Sequence, residues 1–132
     1  MTDIILDASV ILALLNQEPG ADVVQQSLSH AKISSVNLAE IVTRLNLAGM
    51  PTDEIQEVLS LLSLNIVPFD EKQAFQTGIL ASQTKQPGLS LGDRACLALG
   101  ILTSSPVLSA DQAWQKITIP VKVVGLRNET KG

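Results

Sequence analysis

A chain of 132 residues, 45 % hydrophobic and 17 % charged, is sized for one domain with one core and is too apolar to be disordered. Its formal net charge of −4 provides no global basic field, so a nucleic-acid substrate would require bound cations or a local basic strip. The aromatic residues are Phe69, Phe75 and Trp114 alone, which argues against a binder that stacks bases on a platform of rings.

Strand and helix signals then alternate along the chain. Ile4-Ile5-Leu6 is a short β-branched run, read as a buried strand ending at Asp7. Ser9 to Leu15 reads as a helix closed before Pro19-Gly20, and Ala21 to Leu28 as a second. Lys32-Ile33-Ser34 is a strand, followed by a helix from Val36 to Ala48 that stops at Gly49. Pro51-Thr52-Asp53-Glu54 opens the next helix with a proline and an acidic first turn, running to about Leu62. Ile66-Val67-Pro68-Phe69 is a third strand whose proline places it at an end or an edge. Asp70 to Thr84 reads as a helix, Gln86-Pro87-Gly88 as a loop, and Leu91 to Leu102 as a nearly all-apolar helix. Pro106-Val107-Leu108 and Val121-Lys122-Val123-Val124 complete the strands. The alternation predicts a single α/β domain over 1–132, with a mostly parallel central sheet of four to five strands flanked by helices. In such sheets the site lies outside the carboxyl ends of the strands, where Asp7 and Asp111 fall.

Several chemistries are excluded by the residue inventory. Cys96 is the only cysteine and His30 the only histidine, so there is no disulfide, no Cys/His zinc site and no Ser-His-Asp or Cys-His set. Cys96 lies within Ala95-Cys96-Leu97-Ala98-Leu99 and reads as a buried, inert thiol. Asp7-Ala8-Ser9 stands where a glycine-rich phosphate loop would follow the first strand. No run approaches the roughly 18–20 apolar residues of a membrane span, and Met1-Thr2-Asp3-Ile4 opens no secretory signal. A cytoplasmic protein without membrane contact is expected.

Carboxylate chemistry remains, with Mg²⁺ or Mn²⁺ as its natural partners. Asp7 follows an apolar strand and either serves the site or caps the next helix. Glu40 shares a narrow polar stripe with Asn37 and Arg44 on an otherwise apolar helix. Glu40 and Arg44 are spaced for an ion pair worth about 0.2–0.5 kcal/mol, which is its structural alternative. Asp93 begins a helix apolar on every side, which would place it in the interior, and Ser90-x-x-Asp93 also fits a capping box. Asp111, after Val107-Leu108-Ser109-Ala110, repeats the strand-then-acid arrangement of Asp7. If these four of the thirteen acids converge, a divalent ion would resolve their mutual repulsion and activate a water.

Four segments carry a family likeness: Leu6-Asp7-Ala8-Ser9, Ser35-Val36-Asn37-Leu38-Ala39-Glu40, Leu89-Ser90-Leu91-Gly92-Asp93-Arg94-Ala95-Cys96-Leu97-Ala98 and Val107-Leu108-Ser109-Ala110-Asp111. In that order, across nearly the whole chain, they resemble the PIN-domain family and, more narrowly, VapC-type toxin ribonucleases. The resemblance implies a parallel sheet with the four acids at its carboxyl edge, Mg²⁺ or Mn²⁺ as cofactor, and endonucleolytic cleavage of RNA. It also implies a homodimer and a neutralising antitoxin. Asp7, Glu40 and Asp93 match the family's metal-binding core acids, and Asp111 the more variable fourth. Ser9 and Ser109 match hydroxyl positions lining the site, while Arg94 is either structural or touches phosphate. The basic residues Lys32, Arg44, Lys85, Arg94, Lys116, Lys122 and Arg127 are scattered and form no RNA-tracking strip.

Two other readings remain open at this level. An aspartyl-phosphate phosphotransferase or receiver-like domain would use Asp7 as acceptor, but Ser9 stands where the phosphotransferase form places a second Asp. A PIN-like interaction domain without catalysis would keep the fold alone.

Overall fold

The computed structural model describes residues 3–86, 88–111, 113–114 and 117–126. Pro87, Lys116 and Arg127, named above, lie outside them. Five short strands, β1 (Ile4–Leu6), β2 (Ala31–Ser34), β3 (Asn65–Val67), β4 (Val107–Ser109) and β5 (Val123–Gly125), form one sheet in the order β3-β2-β1-β4-β5. Every pairing is parallel, with Ile5 opposite Lys32 on one side and opposite Val107 on the other. The helices are α1 (Ala8–Leu15), α2 (Ala21–Ser27), α3 (Ser35–Leu47), α4 (Thr52–Leu62), α5 (Glu71–Gln83) and α6 (Leu91–Thr103).

The strands are apolar without alternation because both faces of the sheet are covered. Successive side chains point to opposite faces. Leu6 and Leu108 therefore join a cluster with Val10, Ile11, Val24 and Ile41 from α1, α2 and α3. Their neighbours Ile5 and Val107 join Leu80, Cys96, Leu97 and Leu99 from α5 and α6 on the other face. Pro68 follows directly after β3, an edge strand, where a missing N–H breaks no ladder. The chain winds outward from β1 through β2 to β3, then returns to the other side of β1 as β4. The reversal leaves a crevice at the carboxyl ends of β1 and β4, the usual ligand position in such sheets.

One expectation is corrected in α3. Its apolar residues were read as covering most of the circumference, yet only Asn37 and Ile41 are buried, Ala39 is exposed and Leu47 is 78 % exposed. Val36, Leu38, Val42 and Leu45 are only partly buried, Leu45 packing against the core. By contrast α6 is buried continuously from Ala95 to Gly100. Among the described residues no helix is long and apolar enough to cross a membrane.

Candidate active site

Asp7 stands where β1 becomes α1 with no intervening loop. It is 4 % exposed and caps α1, its Oδ1 accepting from Val10 N at 3.2 Å. Ser9 Oγ donates to the same oxygen at 2.7 Å, and Ser109 Oγ, from the end of β4, donates to Oδ2 at 3.0 Å. Each hydroxyl is itself held by a backbone N–H beyond β4. Ala110 N donates to Ser9 Oγ at 3.1 Å and Asp111 N to Ser109 Oγ at 3.0 Å. Burial pushes the Asp7 carboxyl up from 3.8 to about 6, against the three hydrogen bonds, and the nearby charge of Asp93 adds to the rise. Asp7 is thus the N-cap of α1 and at the same time lines the cavity described below.

Asp93 is also a cap. Ser90 N donates to Asp93 Oδ2 at 3.1 Å and Asp93 N to Ser90 Oγ at 3.2 Å, a reciprocal capping box at the start of α6. It is half-buried rather than interior, because the first turn of α6 projects beyond the core and Leu91 is 59 % exposed. Asp111 is exposed on the rim and accepts from Ala113 N at 3.0 Å.

Glu40 is half-buried on α3, and its Oε1 accepts from Asn37 Nδ2 at 2.8 Å. No ion pair joins it to Arg44, so that structural alternative is not realised. The carboxylate instead lies over Gly92, where a Cβ would collide with it. Gly92 was not singled out in the sequence. A glycine in the first turn of an otherwise apolar helix, next to an acid, was the available signal of close approach.

A cavity of about 160 Å³ is lined by Asp7, Ala8, Ser9, Leu12, Glu40, Arg44, Asp93 and Asp111. The four acids therefore converge at the carboxyl edge. The Cys96 thiol is pushed well above its usual range by burial, and the charges of Asp7, Asp93 and Glu40 raise it further. Arg44 also lines the cavities of about 490 and 480 Å³ on either side. Arg94 does not line the cavity: its Nη1 donates to Thr77 O at 2.9 Å, tying α6 to α5, a structural role. Ser109 acts behind Asp7, and Asn37, 1 % exposed, acts behind Glu40.

The donor set, all carboxylate oxygens with hydroxyls behind, suits a hard divalent cation. Among the described residues no three acidic, histidine or cysteine side chains are grouped so that they could hold a metal ion.

Comparison with known proteins follows the same line. No curated protein sequence matches the chain. The fold is similar to that of DNA-bound VapBC from Salmonella typhimurium, with a TM-score of 0.75 at 17 % identity, covering 96 % of this chain and 99 % of the other. It is similar to FitAcB from Neisseria gonorrhoeae, with a TM-score of 0.66 at 24 % identity, covering 93 % and 97 %. VapBC-5 from Mycobacterium tuberculosis gives 0.64 at 21 %, covering 95 % and 99 %. The family model for the PIN domain matches residues 4–120, and the chain belongs to the PIN domain family.

Proposed function

We propose that this protein is a metal-dependent endoribonuclease, the toxin of a toxin–antitoxin pair acting in the cytoplasm. The observation that carries the reading is the single cavity lined by Asp7, Glu40, Asp93 and Asp111 at the crevice where the sheet order reverses. Mg²⁺ or Mn²⁺ held there would supply a water made nucleophilic near neutral pH and a positive charge for the phosphoryl oxygen. Asp7 and Asp93, fixed by their capping hydrogen bonds, present ligand oxygens without reorganisation. Glu40 faces them from α3, and Asp111 closes the rim. Arg44, the one cation lining the cavity among the described residues, would meet an RNA phosphate. His30 is remote from the cavity lining, so proton transfer rests on the carboxylates.

The partners belong to the same reading. The similar folds include structures described as VapBC toxin–antitoxin assemblies, which supports an antitoxin here. Leu47 and Leu61, each 78 % exposed, are apolar surface that an antitoxin or a second copy of the chain would cover. The phosphoacceptor reading gains nothing from the cavity, whose lining includes no lysine.

The deciding experiment is cleavage of RNA by the purified chain, free of any co-expressed partner, with Mg²⁺, Mn²⁺ or EDTA, beside Asp93→Asn. Cutting that requires the metal and disappears in the variant is expected. Metal-loaded protein that cuts no RNA would leave a PIN-domain interaction module.

A further inference from the structure

We propose that Asn37 and Gly92 are positioning residues that together clamp the Glu40 carboxylate and fix its place relative to Asp93. The metal part of this inference rests on the nuclease reading above. Asn37 Nδ2 donates to Glu40 Oε1 at 2.8 Å and, in the same orientation, to Gly92 O at 3.0 Å. One amide group, 55 positions from Gly92, thus links an acid on α3 to the backbone of α6 directly before Asp93. The amide has only one workable orientation, because reversing it would turn its oxygen toward a carboxylate and a carbonyl. Asn37 Oδ1 is buried with no hydrogen-bond partner, so the amide is retained for its donor end alone.

Gly92 completes the clamp by what it lacks. Its φ is not positive, so backbone freedom is not the reason for a glycine. A Cβ there would overlap the carboxyl carbon and both oxygens of Glu40. Glu40 carries three rotatable bonds and, unclamped, would sample many positions. The amide holds it from one side while the bare Gly92 backbone provides the seat.

The test uses the full chain with Mn²⁺ alone as probe, followed by electron paramagnetic resonance, with melting temperature in EDTA as the control for folding. Asn37→Ala and Gly92→Ala are each expected to weaken Mn²⁺ by about tenfold or more, the range for a partner that orients a ligand. In a Glu40→Gln background, Asn37→Ala should change affinity by less than roughly twofold, because it acts only through Glu40. An equal loss in both backgrounds, or no loss in Asn37→Ala while the wild type binds, overturns the clamp. A wild type that takes up no Mn²⁺ overturns the metal reading alone. The clamp is then decided by the Asn37 side-chain amide proton resonances of the metal-free protein. They move on Glu40→Gln if the contact exists, and staying in place overturns it.

Discussion

Ser109 Oγ donates to Asp7 Oδ2 at 3.0 Å across 102 positions of sequence, and Ser109 Oγ itself accepts from Asp111 N at 3.0 Å. The hydroxyl therefore relays a backbone N–H of the β4 turn onto the carboxylate of β1, and Ser9 repeats the device on Oδ1 from Ala110 N. Asp7 is connected to the opposite strand by two such relays, each with a backbone group behind it.

Removing one relay should cost stability. Ser109→Ala withdraws a buried donor from Asp7 and deprives Asp111 N of its acceptor, so the variant should unfold about 1–3 kcal/mol more easily. Losing a hydrogen bond to the ionised form also raises the Asp7 carboxyl further, which should weaken divalent-ion uptake at neutral pH. Urea unfolding in EDTA and Mn²⁺ titration read the two effects separately. Unchanged values in both would remove the relay from the account.

The Asp7 carboxyl sets a pH dependence whose sign is fixed by burial. Its folded value, about 6, lies above the ordinary aspartate value of 3.8. A raised value means the group contributes most below about 3.8, and that contribution is lost as pH rises to about 6. At neutral pH the buried charge then costs about 3 kcal/mol in the metal-free protein. Asp7→Asn keeps the cap and removes the charge, so it should be more stable than wild type above pH 6. The gap should narrow as pH falls toward 4. A divalent ion should stabilise the wild type more at neutral than at acid pH, because protons compete for the ligand. Thermal melts with EDTA and with Mg²⁺ across that range measure both. A gap independent of pH would contradict the buried-charge account.

Two substitutions at Asp93 should separate its roles. Asp93→Ala loses the oxygen that accepts from Ser90 N, with a stability loss of about 1 kcal/mol. Asp93→Asn keeps an acceptor for that N–H and should melt near the wild type. Both should lose cleavage, since neither offers a carboxylate to the cavity. Retained cleavage in Asp93→Asn would show that the charge at this position is not required.

The two arginines should behave oppositely. Arg94→Met breaks the bond to Thr77 O and should destabilise by about 1–2 kcal/mol with the cleavage rate per folded molecule unchanged. Arg44→Met, at an exposed residue, should leave unfolding within about 0.5 kcal/mol of wild type and raise KM for RNA. Paired urea curves and steady-state kinetics decide, and a KM change confined to Arg94→Met would reverse the assignment.

The alternation of apolar runs made the parallel sheet legible, because strands covered on both faces, such as Ile4–Leu6, show no polar alternation. The acids after β1 and β4 could be placed at the carboxyl edge for the same reason. What stayed hidden depended on distances between elements far apart in sequence. Spacing of four residues favoured an ion pair between Glu40 and Arg44, but the tertiary contact with Asn37 and Gly92 replaces it. Arg94 beside Asp93 is open in sequence between a structural role and a phosphate contact, and only the packing of α6 on α5 sends it to Thr77. Ser109 was placed by resemblance, whereas its hydrogen bond to Asp7 depends on the β1–β4 register, which no local pattern encodes.

The strand order carries a consequence for synthesis. β4 lies directly beside β1 although about a hundred residues separate them in the chain, so contact between them awaits the translation of β4. A nascent chain ending before Val107 already holds Asp7, Glu40 and Asp93. It lacks one of the two strands that pair with β1, one of the two hydroxyls that steady Asp7 and the rim residue Asp111. On the nuclease reading proposed above, the hollow is complete only once β4 and Asp111 have been made, and a shorter nascent chain would not yet be armed toward the RNA around it.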